Sequence, residues 1–315
     1  MSELAANKKT VLADISLLIV ALFWGSNFVI MKHAFEVIAP FTYLGIRFSL
    51  AAFLLAVIFR KRLLAATSGD YLAGLQIGFF LFTGYVFQTV GLLHTTPANS
   101  GFITGIAVVI VPFLYYFLTK IFPGWWAVTG AALAAIGLYL MSANQTMGLG
   151  FGDLLTLLGA FLFAGHLIAI AFHVIKHDPI VLAVVQIAVT GLASFAVALF
   201  FEPTAKMFSH AYPIWGAILY AVLFCTIGAF VTQTIAQRYT PPTHAVLILS
   251  TEAVFAGLFS YLFWQEVFNA QKIFGAFLIL AAILITELRP LLAARYHSYL
   301  IWAAKKRAPS FEQES

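Results

Sequence analysis

The chain has 315 residues, of which 62% are hydrophobic and only 9% charged, with a formal net charge of +5. An ordinary soluble domain carries about 25% charged residues, so this chain cannot cover a water-facing surface and its solvent is the lipid bilayer. The basic residues sit in short connections and at the ends, where they set topology, so no nucleic-acid partner is expected.

Crossing a hydrocarbon core of roughly 30 Å as helix takes about 20 apolar residues, and charges and turn residues divide the chain into ten such runs. They are 14–33, 40–59, 72–93, 99–119, 125–142, 153–174, 180–201, 214–236, 243–264 and 271–287. Lys8 and Lys9 precede the first run as in a secretory signal, but the run continues through Phe28 to Met31 and reads as a span. The runs are continuous and do not alternate as outer-membrane strands do, so the fold class is all-α. With the N-terminus inside, thirteen basic residues fall on the cytoplasmic side, Arg60, Lys61, Arg62, Lys120 and Lys176 among them. Only Lys32, Lys206 and Lys272 fall outside. This bias predicts a multi-pass protein of the inner (plasma) membrane with both termini cytoplasmic.

The two halves repeat. A shift of 145 residues sets Gln88-Thr89 on Gln233-Thr234, Thr95 on Thr240, Pro97 on Pro242 and Gly130 on Gly275; a shift of 139 sets Asp14 on Asp153, Asn27 on His166, Pro40 on Pro179 and Arg47 on Gln186. The chain therefore reads as two five-helix units, 12–142 and 153–288, followed by a tail, 289–315, whose apolar residues at helical spacing suggest an interfacial helix. Five is odd, so the second unit enters from the opposite side and the repeats are inverted, an arrangement that secondary transporters use to enclose a site near mid-membrane.

Three stretches carry a family resemblance: Trp24-Gly25-Ser26-Asn27-Phe28, Arg47-Phe48, and the run from Gly91 through His94, Thr95, Thr96, Pro97 and Asn99 to Ile103. With Ser250, Glu252, Phe255 and Gln265-Glu266 in the second half, the sequence resembles the EamA-type, ten-helix members of the drug/metabolite transporter superfamily over about residues 12–288. The resemblance implies a transporter that exports amino acids or other small metabolites. The motifs do not specify the cargo.

Polar groups inside the spans are the candidate site. Asn27, Arg47 and Gln88 fall in one layer roughly 8–10 Å below the outer surface, taking 1.5 Å of rise per residue. Their repeat partners His166, Gln186 and Gln233 fall near the inner surface, and Glu252 falls near the midplane. The expected cavity is bounded by spans one to four and six to nine, with five and ten peripheral. Trp24, one turn from Asn27, either stacks on cargo or packs between helices. Arg47 either braces its helix against a carbonyl or receives a substrate carboxylate in its rigid fork of donors. Glu252 is either a neutral acid hydrogen-bonded between helices or a coupling site for protons. The amides and His166 serve as ligands or as glue between helices. Asp14 and Asp153 begin their spans and read as helix caps.

Absences narrow the function classes. Cys225 is the only cysteine, so neither a disulfide nor a thiolate metal cluster forms within the chain. There is no phosphate-binding loop, no His-Glu-x-x-His and no Gly-x-Ser-x-Gly, so neither ATP-driven pumping nor these hydrolytic chemistries are expected, and no cofactor or metal is. The expectation is a secondary transporter for a small polar metabolite, exported by alternating access. A passive channel and a non-transporting scaffold are the alternatives.

Overall fold

The computed structural model describes residues 2–120, 122, 124–142, 150–202, 212–240, 242–282 and 284–285. The tail 289–315, expected to hold an interfacial helix, lies outside them. In chain order the helices are α1 (Ser2–Phe35), α2 (Pro40–Ile58), α3 (Arg60–Ala65), α4 (Ser68–Leu93), α5 (Pro97–Gly105), α6 (Ala107–Thr119), α7 (Trp125–Ser142), α8 (Phe151–His173) and α9 (Pro179–Phe201). Then come α10 (Tyr212–Tyr220), a π-helical segment (Ala221–Gly228), α11 (Ala229–Ala236), α12 (Pro242–Leu249) and α13 (Glu252–Phe263), and finally α14 (Ala270–Ala282).

Among the described residues, seven helical stretches are long and apolar enough to cross a membrane: Val11–Phe35, Pro40–Ile58, Ser68–Leu93, Pro97–Leu118, Phe151–His173, Pro179–Phe201 and Ile214–Ala236. Val128–Gly137, Glu252–Phe263 and Ala270–Ala282 are apolar but shorter. Among the described residues each of the ten predicted runs overlaps helix, seven of them in stretches long enough to span. The first helix starts at Ser2, twelve residues before the predicted border. Asp14 therefore lies inside α1 and not at its start.

Spans four and nine are each broken in the middle. At Ile106 the ladder tightens to i→i+3 bonds, from Ile106 N to Ile103 O and from Val109 N to Ile106 O. At Thr251 the same tightening runs from Thr251 N to Ile248 O and from Val254 N to Thr251 O. Thr251 lies 145 residues after Ile106, the repeat shift read from the sequence. A tight turn of this kind inside a helix marks a hinge and turns backbone groups away from the ladder.

Two helices, α2 and α9, pack against each other along their length. Gly45 and Gly191 permit that approach: a Cβ on Gly45 would sit 2.9 Å from the Phe195 ring, and one on Gly191 2.6 Å from the Ser49 nitrogen. Likewise α4 packs on α8, α1 on α11 and α13, and α5 on α8 and α13. Three buried apolar clusters result, one around α5, α6 and α12, one around α2 and α9, and a small one between α4 and α8. Trp24 packs against the first two. The outward faces carry exposed residues such as Phe53, Phe200 and Phe201, as lipid contact requires.

Candidate functional site

Between the two larger clusters lies a cavity of about 80 Å³, lined where spans four and nine kink by Thr104, Gly105, Ala107 and Val108 and by Leu249, Ser250 and Glu252. A water needs roughly 10–15 Å³ of such space, so several fit. The remaining walls come from α1, α4, α8 and α11. Of the residues nominated from sequence, Trp24, Asn27, Gln88, His166, Gln233 and Glu252 line this one cavity. The two polar layers are not separate. Layers 8–10 Å below each face of a 30 Å core are only about 10–14 Å apart, a gap one cavity spans.

Arg47 and Gln186 do not line it, and neither do any other residues of α2 or α9. The close packing of these two helices draws both repeat-related side chains behind the wall. Arg47 is fully buried. Its Nε donates to Thr226 Oγ1 at 2.7 Å and its Nη2 to the Cys225 carbonyl at 3.1 Å, while its guanidinium carbon lies 4.9 Å from the Phe48 ring centre and 5.7 Å from that of Tyr85. Trp24 Nε1 donates to the same Cys225 carbonyl at 3.0 Å. That carbonyl lies in the π-helical segment, where Thr226 Oγ1 donates to Ala221 O at 2.8 Å across five residues. The widened turn leaves a carbonyl for two side-chain donors, as π-segments at functional sites do. Arg47 thus bonds a hydroxyl and a carbonyl, and no guanidinium is among the described lining residues of the cavity.

Donors around the cavity are largely engaged with protein. Asn27 Nδ2 points at Met31 Sδ (2.9 Å), Gln88 Nε2 donates to Thr104 Oγ1 (3.0 Å), and His166 Nε2 lies 2.7 Å from Gln186 Oε1. Gln186 Nε2 in turn donates to Thr234 Oγ1, which donates to Phe230 O. This orientation of the amide makes His166 Nε2 the protonated nitrogen and leaves Nδ1 as an acceptor. Asn27 Oδ1 and both amide atoms of Gln233 have no hydrogen-bond partner. Glu252 makes no hydrogen bond or ion pair among the described residues and is the one carboxylate or fixed charge among the described lining residues. Gly25 brings it close to α1, since a Cβ there would lie 2.8 Å from the Glu252 carbonyl oxygen.

Sequence reasoning missed Tyr85, Phe163 and Phe230, which complete the walls. A signal existed for two of them. Tyr85 and Phe230 each stand three residues before a nominated glutamine and are related by the 145-residue shift.

Polar ties join the first half to the second at both ends of the bundle. At the end where α1 finishes, Thr95 donates to Asp153 (2.5 Å), Thr96 donates to Glu266 (2.8 Å), and Glu202 accepts from the backbone of Phe41 and Thr42 and from the Thr42 hydroxyl. The last of these replaces a missing cap: Ala39 precedes α2, whereas Asp178 caps its own helix α9 through Ile180 N. Where α1 begins, Thr240 donates to Asp14 (3.1 Å), His177 pairs with Asp70 (2.8 Å) and Arg62 with Asp178 (3.0 Å). The Asp–Thr tie is thus made twice, with the halves exchanging roles.

A cavity with several polar groups on a mainly apolar wall, set between kinked apolar helices, fits a multi-pass helical membrane protein. The sequence profile of the EamA-like transporter family matches residues 11–143 and again 150–288. The chain therefore belongs to the EamA-like transporter family. It is 35% identical to an uncharacterized transporter of Archaeoglobus fulgidus, over 90% of this chain and 89% of that one. It is 25% identical to a second uncharacterized transporter of the same organism, over 89% and 98% of the two chains. A crystal structure 18% identical in sequence superposes with a TM-score of 0.68, covering 90% of this chain and 98% of that one. That likeness shows the fold.

Proposed function

We propose that this protein is a secondary transporter that exports a small polar metabolite, such as an amino acid, across the inner membrane by alternating access. Its ten spans form two inverted five-helix repeats, 12–142 and 153–288, with both termini in the cytoplasm. The cargo occupies the cavity between Trp24, Asn27, Gln88, His166 and Gln233, and Glu252 couples its movement to a cation, while Arg47 and Gln186 hold the wall.

The observation that carries this reading is the reciprocal Asp–Thr tie at the two ends of a bundle that holds one cavity between its halves. Small, breakable, cross-half contacts at both ends suit alternating access, because each end can open at the cost of a few hydrogen bonds. The hinge-like kinks at repeat-related positions support the same reading. The test is a deletion strain screened for growth sensitivity to individual amino acids, followed by counterflow of the responding amino acid in liposomes holding the purified protein. Saturable uptake accelerated by unlabelled amino acid inside the vesicle is expected. Flux linear in concentration, without that acceleration, would make the protein a passive channel.

A further inference from the structure

Which end of a small zwitterion the cavity reads is decided by what its walls leave unused. Resting on the transporter reading above, we infer that the cavity recognises a protonated amine, with Glu252 as its counter-ion, and does not require a carboxylate on the cargo.

Three independent features converge on this. The first is charge. Glu252 is the one carboxylate or fixed charge among the described lining residues and has no cationic partner; the nearest candidate, Arg47, is tied to Thr226 and Cys225 behind the wall. In a low-dielectric cavity an anion disfavours the ionised carboxyl, whereas a cation favours it and pairs with it. The second is the balance of donors and acceptors. His166 spends its one N–H on the protein and Asn27 and Gln88 one of two each, and all three keep an acceptor, Nδ1, Oδ1 and Oε1 respectively. An ammonium brings three donors and no acceptor, the complement of that set. The third is the wall itself. Trp24, Phe28, Tyr85, Phe163 and Phe230 line the cavity, and aromatic faces attract cations and repel anions. Gly25 holds the Trp24–Phe28 turn of α1 against the first turn of α13, where Glu252 stands. Gln233, whose amide N–H is unpartnered, can meet a carboxylate if the cargo has one, which makes amino acids acceptable without making the acid group necessary.

The test uses four probes of one shape on purified protein in detergent, read as ligand-dependent thermal stabilisation: isoamylamine, leucine, 4-methylpentanoate and N-acetylleucine. Isoamylamine and leucine should bind tighter than the two compounds lacking an amine by about tenfold or more, the range a charge-assisted hydrogen bond gives. Glu252→Gln should abolish that preference. Glu252→Asp, which keeps the charge with a shorter reach, should retain it at weaker affinity and serves if the glutamine variant does not fold. The inference is overturned if 4-methylpentanoate binds as tightly as isoamylamine, if none of the four binds, or if Glu252→Gln keeps the preference. Leucine counterflow in liposomes separates the two levels. Charge preference without counterflow removes the transporter reading and leaves this inference standing; counterflow without charge preference does the reverse.

Discussion

Two charged side chains are buried at the heart of the bundle, and they have opposite fates. Arg47 is closed in on all sides, with a hydroxyl, a carbonyl and two aromatic rings around its guanidinium. Glu252 borders the cavity with nothing bound to its carboxylate among the described residues. Burying either is costly in a membrane, about 2.5–3.5 kcal/mol for an Arg or Asp at a helix centre on insertion scales. What separates them is satisfaction: a charge whose hydrogen bonds are filled by the protein holds the protein together, and one left unfilled beside a cavity is available to a ligand.

The sharpest way to break this comparison is to remove each charge and measure thermal unfolding in detergent. Arg47→Ala should destabilise by about 3–5 kcal/mol, the range for deleting a large, fully buried side chain. Glu252→Gln should leave stability unchanged or raise it, because it removes an unpaired buried acid and no contact. Comparable losses in the two variants would erase the distinction. Next is Gly25→Ala, whose methyl would press on the Glu252 carbonyl and should cost about 1–3 kcal/mol by overpacking; amine affinity should fall with it if that contact sets the site. A variant as stable as wild type would show that the α1–α13 contact is loose. Smaller again is Glu202→Gln, which weakens the borrowed cap of α2 and should cost about 0.5–2 kcal/mol, read as a lower unfolding temperature with amine binding intact.

The outline of these regions was legible in the sequence, and the difference between them was not. Span borders follow from runs of apolar residues and from charges, which depend only on local composition. Six of the eight nominated residues line the cavity, because a polar group in an apolar span has few places to be. Arg47 and Gln186 miss it for a tertiary reason, the close packing of α2 on α9 at Gly45 and Gly191. Small residues within those spans were the available hint. The kinks of spans four and nine were equally hidden: Pro112, the residue most expected to break a helix, lies inside α6, and the break comes earlier, at Ile106. The repeat shift aligned Asp14 with Asp153 and Thr95 with Thr240, like with like. It could not show that each aspartate bonds the other half's threonine, which depends on how the halves interlock.

Those two ties carry the smallest predicted effects and the central claim. Each is one hydrogen bond, a net contribution of about 0.5–1.5 kcal/mol, so losing it should shift an open–closed equilibrium by about two- to tenfold. A single cysteine at Leu167, on the cavity wall, in a Cys225→Ser background, can be labelled by an impermeant maleimide in right-side-out and inside-out vesicles. The account predicts labelling from both sides, with Thr95→Val raising the external rate and Thr240→Val the internal one. Labelling from a single side, or both variants shifting the rates in the same direction, would contradict alternating access through this cavity.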